Sequence, residues 1–303
     1  MAKILFSGGL SSSDPVSTPI IIIGQHQHLT RVAWDDIKVK LEPRVTKDIW
    51  TGGVSSLSPT PTDLSLYMNL ATVAALPSKV SRHNTQSRSH NITKIIKTLT
   101  SSSSESVVIV CRQEDVYASG CAVARAYSLY TRKTTGEPPN VQSRQNRDIT
   151  VNVEFLIVDD GTEDAAKPSN MTENDVKALQ SSCEAINMTA RIVDTPCNEM
   201  NTDAFVEEAQ RVGNELGIVP TIIRGEELRE RGFGGIYGVG KAAAHPPALV
   251  VLSHKPPDSN RAIAWVGKGI VYDTGGLSIK VWSSNNMILL IICSSRAKQP
   301  CLE

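Results

Sequence analysis

Between Trp265 and Lys280 the chain reads Trp-Val-Gly-Lys-Gly-Ile-Val-Tyr-Asp-Thr-Gly-Gly-Leu-Ser-Ile-Lys, and Lys268, Asp273 and Lys280 are the residues there that suit chemistry. An apolar run from Ala262 to Val266 predicts a strand arriving from the interior. Glycines flank Lys268 and follow Asp273, so the strand is expected to break at Gly267-Lys268-Gly269, resume over Ile270 to Tyr272, and turn at Asp273-Thr274-Gly275-Gly276. Two amines and one carboxylate would then stand at the ends of buried segments. A buried lysine is costly unless its charge is paired or its amine is neutral. A divalent cation held by Asp273 would favour the neutral amine of Lys268, which can then act as a ligand. A glycine-rich strand-turn-strand with solvated lysines fits the same residues.

The segment Gly267 to Lys280 resembles the first metal-binding segment of the leucyl (cytosol) aminopeptidases, a two-metal family. Arg191-Ile-Val-Asp-Thr-Pro-Cys-Asn-Glu-Met-Asn-Thr-Asp203 is similar to the family's linker into its catalytic domain. Gly232-Phe-Gly-Gly-Ile-Tyr-Gly-Val-Gly-Lys241 resembles the animal branch described as probable aminopeptidase-like proteins. The resemblance is strong from 187 to 280, weaker but continuous before that, and is expected to stop at Lys280. It implies removal of unsubstituted N-terminal residues from peptides with two divalent metals, zinc or manganese. It implies Lys268 and Asp273 as metal ligands and Lys280 as the catalytic cation that polarises the carbonyl. It also implies hexamers. The family's later parts are a third Asp ligand, then an Asp and a Glu within Asn-Thr-Asp-Ala-Glu-Gly-Arg, whose Arg positions the general base. None of these follows Lys280 in this sequence. The expectation is therefore a C-terminally truncated chain, inactive by itself, that does not retain its metals. The alternative is a non-catalytic subunit that associates with longer siblings.

Other motifs point to less. Gly235-Ile-Tyr-Gly-Val-Gly240-Lys241 approaches a phosphate-binding loop, but Ala242 stands where Ser or Thr must hold magnesium. Close packing of a glycine-rich loop beneath the catalytic sheet is the expected use. A dinucleotide fingerprint fails at Gly232-Phe-Gly234, with no third glycine at the right spacing. There is no His-Glu-x-x-His and no Gly-x-Ser-x-Gly. His26 and His28 would share a side of a strand and could share a metal, yet surface or turn positions suit them better, with no third ligand nearby in sequence. Asn201-Thr-Asp-Ala204 reads as a helix N-cap.

The elements that must position these residues alternate between strand and helix. Ile20–Ile23, Val107–Cys111 and Thr150–Val158 read as strands, and Glu114–Tyr130 as a helix. Residues 81–106 are polar and end in a loop at Ser101–Ser104. Thr172 to Asp175 resembles a capping box, followed by a stripe at Val176, Leu179, Cys183, Ile186, Ala190 and Val193 that stops before Pro196. A second helix runs from Asp203 to Leu216 with Gly217 as its C-terminal cap. Strands Ile218–Ile223 and Ala248–Leu252 flank a short helix, Glu226–Arg231, and the 232–240 glycines. The fold class is α/β: an N-terminal α/β domain over 1–170, an incomplete C-terminal α/β catalytic domain with a mixed central sheet over 171–280, and a divergent tail over 281–303. The cut sheet would expose an edge, where Leu277–Ile292 is a candidate substitute strand.

Bulk composition sets the remaining limits. With 303 residues, 40% hydrophobic and 20% charged, the chain can bury a sizeable core. Its 31 basic and 31 acidic side chains balance, which speaks against nucleic-acid and membrane-surface partners. Six cysteines without paired spacing predict free thiols. Ile20–Ile23 lacks the basic flank and the length of a secretory signal, so the expected location is the cytoplasm.

Overall fold

The computed structural model describes residues 2–100, 103–127, 149–158, 171–257 and 259–272, and the backbone alone of 287–294. It divides into two compact units, Met1–Arg191 and Ile192–Glu303.

The first unit is built on strands β1 (Ala2–Ser7), β2 (Ile20–Gln25), β3 (Thr62–Tyr67), β4 (Ala71–Leu76), β5 (Glu105–Cys111) and β6 (Ile149–Ile157). They form one sheet in the order β1-β6-β5-β2-β4-β3. All neighbours are parallel except the edge pair β3–β4. A parallel sheet needs cover on both faces, and its inner strands read as near-continuous β-branched runs; β2, β4 and β5 are buried along their whole length.

Helices α1 (His26–Leu29), α2 (Trp34–Leu41) and α3 (Lys47–Ser56) follow β2. They bury Leu29, Ile37, Leu41, Trp50 and Val54 against Ile20, Ile22, Val73, Val108 and Val110 on one sheet face. Helices α4 (Ser89–Leu99), α5 (Val116–Ala124) and α6 (Glu173–Asp194) cover the other. There Ile92, Ile96, Val123, Leu179 and Cys183 meet Ile21, Ile23, Val107, Ile109, Val151 and Val153. Gly120 lets α5 approach α6, since a Cβ there would sit 2.8 Å from Leu179 Cδ2.

Several sequence expectations are corrected here. The polar segment 81–106 holds a helix absent from the sequence expectations: α4 forms where Ile92, Ile95, Ile96 and Leu99 recur at helical spacing. A short 3-10 turn, Gln113–Asp115, precedes α5, and 128–130 lie outside the described residues. The capping box before α6 is present and reciprocal: Asp175 N donates to Thr172 Oγ1 at 3.1 Å, and Thr172 N to Asp175 Oδ2 at 3.0 Å. Of the predicted α6 stripe only Leu179 and Cys183 are fully buried, and Val193 is exposed.

An ion pair lies inside the first unit. Lys40 Nζ contacts Glu154 Oε2, and both residues are 1% exposed. Ser11 donates to Glu154 Oε1 from its backbone at 2.9 Å and its hydroxyl at 2.5 Å, and Ser106 Oγ donates to Oε2 at 3.2 Å. Each carboxylate oxygen thus has partners, as a buried charge requires.

The second unit carries α7 (Thr202–Leu216), β7 (Thr221–Arg224), α8 (Glu226–Glu230), α9 (Gly234–Gly240), β8 (Ala248–His254), β9 (Ile263–Ile270) and β10 (Met287–Ser294). The sheet order is β7-β8-β10-β9. β8 and β10 are parallel; β7–β8 and β10–β9 are antiparallel, so the sheet is mixed. Val206 and Ala209 of α7 pack on Ala248 and Val250, while Leu228 and Ile236 pack on Ile223, Leu249 and Val251. The Asn201 side chain caps α7 by accepting from Ala204 N at 3.1 Å, and Gly217 ends it at φ 68°. The glycines of 234–240 form helix α9 rather than a loop, and Gly232 stands in the turn before it at φ 86°. Gly240 allows the close approach: a Cβ there would lie 2.5 Å from Pro247 Cβ.

Candidate metal centre

Lys268 sits near the end of β9, opposite Leu289 of β10. Alternation places it on the same face as Val266 and Ile270, with Trp265 on the other. The strand runs unbroken through Gly267 and Gly269, against the expected break, because the ladder to β10 fixes both glycines as extended residues. Burial also differs from expectation. Residues 263–268 are exposed, Trp265 at 70% and Val266 at 64%. The reason is topological: β9 is the outer strand of its sheet, and the core clusters that α7, α8 and α9 make with β7 and β8 among the described residues include none of its residues. The Lys268 amine is exposed, so the desolvation cost of a buried ammonium does not arise for it.

Asp273 and Lys280 lie outside the described residues, so the distances among Lys268, Asp273 and Lys280 are not part of the structure. Among the described residues no group of three His, Cys, Asp or Glu side chains is arranged to hold a metal ion. An amine and a carboxylate are donor types that suit zinc or manganese. The donor set therefore fits in kind, while a closed zinc site uses about four such groups.

The candidate substitute strand is present for 287–294, and 277–286 lie outside the described residues. It is not an edge strand. It runs between β8 and β9, pairing Ile288 with Ala248 and Gly269.

The remaining sequence candidates separate from this site. His26 and His28 belong to the short helix α1, not a strand, and His28 is buried rather than at the surface. The near phosphate loop is helix α9, with Lys241 exposed just beyond it. One constellation had no sequence signal. Asp203 at the start of α7 accepts from Arg224 Nη2 at the end of β7, and its Oδ2 lies 2.6 Å from His245 Nδ1 before β8. The carboxylate orients the imidazole and ties helix to sheet. Its members are 21 and 42 residues apart, so only the fold brings them together.

Thiols behave as free groups. Cys111 and Cys183 are buried and unbridged, Cys121 is partly exposed and Cys197 is exposed. Burial, with the Asp115 carboxylate adding to it, pushes the Cys111 thiol up to about 12. No helix among the described residues is long and apolar enough to cross a membrane.

Comparison with known proteins agrees with this architecture. Residues 18–136 match the family described as M17 aminopeptidase N-terminal domain 2, and 187–291 match the cytosol aminopeptidase family, catalytic domain. The second match runs past Lys280 into β10, which corrects the expected end of the resemblance. The Homo sapiens protein named probable aminopeptidase NPEPL1 is 52% identical over 279 residues, 91% of this chain and 51% of its own length. Leucine aminopeptidase 1 of Caenorhabditis elegans is 37% identical over 285 residues, 92% of this chain and 54% of that protein. A solved structure of the C. elegans leucine aminopeptidase superposes with a TM-score of 0.76 at 30% identity, covering 97% of this chain and 62% of that one. The chain spans about half the length of the curated relatives it matches.

Proposed function

Because the chain belongs to the M17 leucyl (cytosol) aminopeptidase family, we propose that its second unit contributes to a two-metal aminopeptidase site, acting in the cytoplasm on peptides with a free N-terminus. The observation that carries this reading is the match of 187–291 to the family's catalytic domain, with Lys268 on β9 and Asp273 shortly beyond it. Lys268 and Asp273 are the proposed metal ligands, and Lys280 the proposed catalytic cation. Two bound divalent cations, zinc or manganese, supply Lewis-acid polarisation and a water made nucleophilic at neutral pH. For its part, Lys268 must offer a lone pair, which requires a neutral amine. Asp273 supplies the negative charge that a dication needs as a counterweight. Lys280 donates an N–H toward the carbonyl oxygen and stabilises negative charge as it develops there.

We further propose that these 303 residues alone do not turn over substrate. One amine and one carboxylate fall short of the ligand sets behind the roughly 10–16 kcal/mol of a structural zinc site. The test is hydrolysis of leucine amide by the purified chain with zinc or manganese added, together with metal content after dialysis. The expected result is no turnover and well under one ion per chain. Turnover with about two ions retained would sink the inactivity claim and keep the aminopeptidase reading.

The second reading is a non-catalytic subunit that joins longer members of the family in a homo-oligomer, hexameric in the family. The specific observation in its favour is β9, an outer strand with Ile263, Trp265 and Val266 exposed. Co-purification of this chain with a longer family member, and a change in that member's activity, would support it. Separate elution would remove it.

A further inference from the structure

In the first unit, β2 and β5 are parallel neighbours whose connections leave toward opposite faces of the sheet. After β2 the chain goes to α1, α2 and α3 on one face; after β5 it goes to α5 on the other. Such a divergence opens a crevice beyond the carboxyl ends of the strands, the place where open α/β sheets bind ligands. A cavity of about 260 Å³ lies there, lined by Gln25, Gln27, Arg31, Gln86 and Arg112. Its volume is just below the roughly 300–1,000 Å³ of ordinary small-molecule sites.

The lining is polar and rich in donors, with no carboxylate among its five residues. All five side chains carry N–H donors, and two are permanently charged guanidiniums. The amides are already oriented. Gln25, 4% exposed, donates from Nε2 to the Gln86 carbonyl at 2.7 Å and accepts from Gln27 Nε2 at 3.0 Å. Arg112 is held from behind, Nε to Asp115 Oδ2 at 3.1 Å and Nη2 to Glu114 Oε1 at 2.5 Å. A smaller cavity of about 10 Å³ shares Gln25 and Gln86 and is also lined by Ser119. The Ser119 hydroxyl is in a side chain 1% exposed and has no hydrogen-bond partner among the described residues. Buried hydroxyls normally have one.

We propose that this crevice binds a small oxyanion, a carboxylate or phosphate carried by a small molecule, between Arg31 and Arg112. Two guanidiniums, which only donate, and the N–H groups of the amides make a donor-rich surface that matches an acceptor-only ligand. Glu114 and Asp115 offset the charge of Arg112, so the affinity expected is in the millimolar range. All five lining residues belong to the first unit.

The experiment is calorimetric titration of the full chain with sodium phosphate and, separately, sodium acetate, each against sodium chloride at equal ionic strength. Saturable binding of phosphate assigns a phosphate-bearing ligand, and binding of acetate assigns a carboxylate. Arg31→Ala is expected to weaken binding at least fivefold without shifting the thermal midpoint of the free chain, because Arg31 is exposed. Gln86→Ala, at another lining position, is expected to weaken it about threefold. No heat beyond the chloride control, or unchanged binding in both variants, would overturn the proposal.

Discussion

Lys40 carries an ammonium into the first unit and meets Glu154 there, with Ser11 and Ser106 completing the set. Removing one charge leaves the other desolvated and unpaired, a loss of about 3–5 kcal/mol for a buried pair. Lys40→Met is expected to lower the unfolding free energy measured in urea by that amount, and Lys40→Met with Glu154→Leu to recover most of it. A double variant no more stable than the single one would mean that the serines, rather than the ion pair, set the cost. Cys111 offers a second check at this scale. Its thiol goes from an ordinary 9.0 to about 12 on folding, by burial first and the Asp115 carboxylate second. The folded chain therefore favours the neutral thiol. That contribution is whole below pH 9 and is lost as pH rises through about 12, amounting to up to about 4 kcal/mol. Chemical denaturation between pH 9 and 12 should show a shallower decline in Cys111→Ala than in the parent.

Helix α9 makes the corresponding prediction for an element. Gly240 faces Pro247 so closely that a methyl group must displace a rigid ring, and Gly240→Ala is expected to cost about 1–3 kcal/mol. Gly235 and Gly238 have open space around them, and alanine at either should stabilise by up to about 1 kcal/mol. Thermal midpoints of the three variants, moving in opposite directions, check both statements. The same helix shows where sequence reasoning stops. Strands β2, β5, β6 and β8 were legible because β-branched runs leave little choice, and α6 and α7 because stripe and cap agree. Helix α3 carries two adjacent glycines and buries only Trp50 and Val54, so packing on β3 and β4 decides it, not propensity. Lys268 was legible as a candidate ligand from its flanking glycines and its family resemblance. Its exposure was not, because the strand that sets the sheet order lies further along the chain. The Asp203–Arg224–His245 cluster left no local trace for the same reason.

Across the whole molecule the two units differ in how their sheets are covered. The first has helices on both faces of six strands, and its inner strands are buried throughout. In the second, β9 is exposed over most of its length. Limited trypsin digestion should cut at Arg261 or Lys268, both exposed, before it cuts at Arg112 beside the covered sheet. Mass spectrometry of the early fragments reads this directly, and early cleavage at Arg112 would reverse the ranking. The position of β10 adds a matter of timing. As the ribosome extends the chain, β9 emerges with no strand to join, since the one beside it in the finished sheet has yet to be made. Lys268 takes its place opposite Leu289 only after that later segment has threaded between β8 and β9. A one-residue slip at that moment would turn the amine to the opposite side of the sheet, so the handedness of the candidate site is decided by residues translated after it.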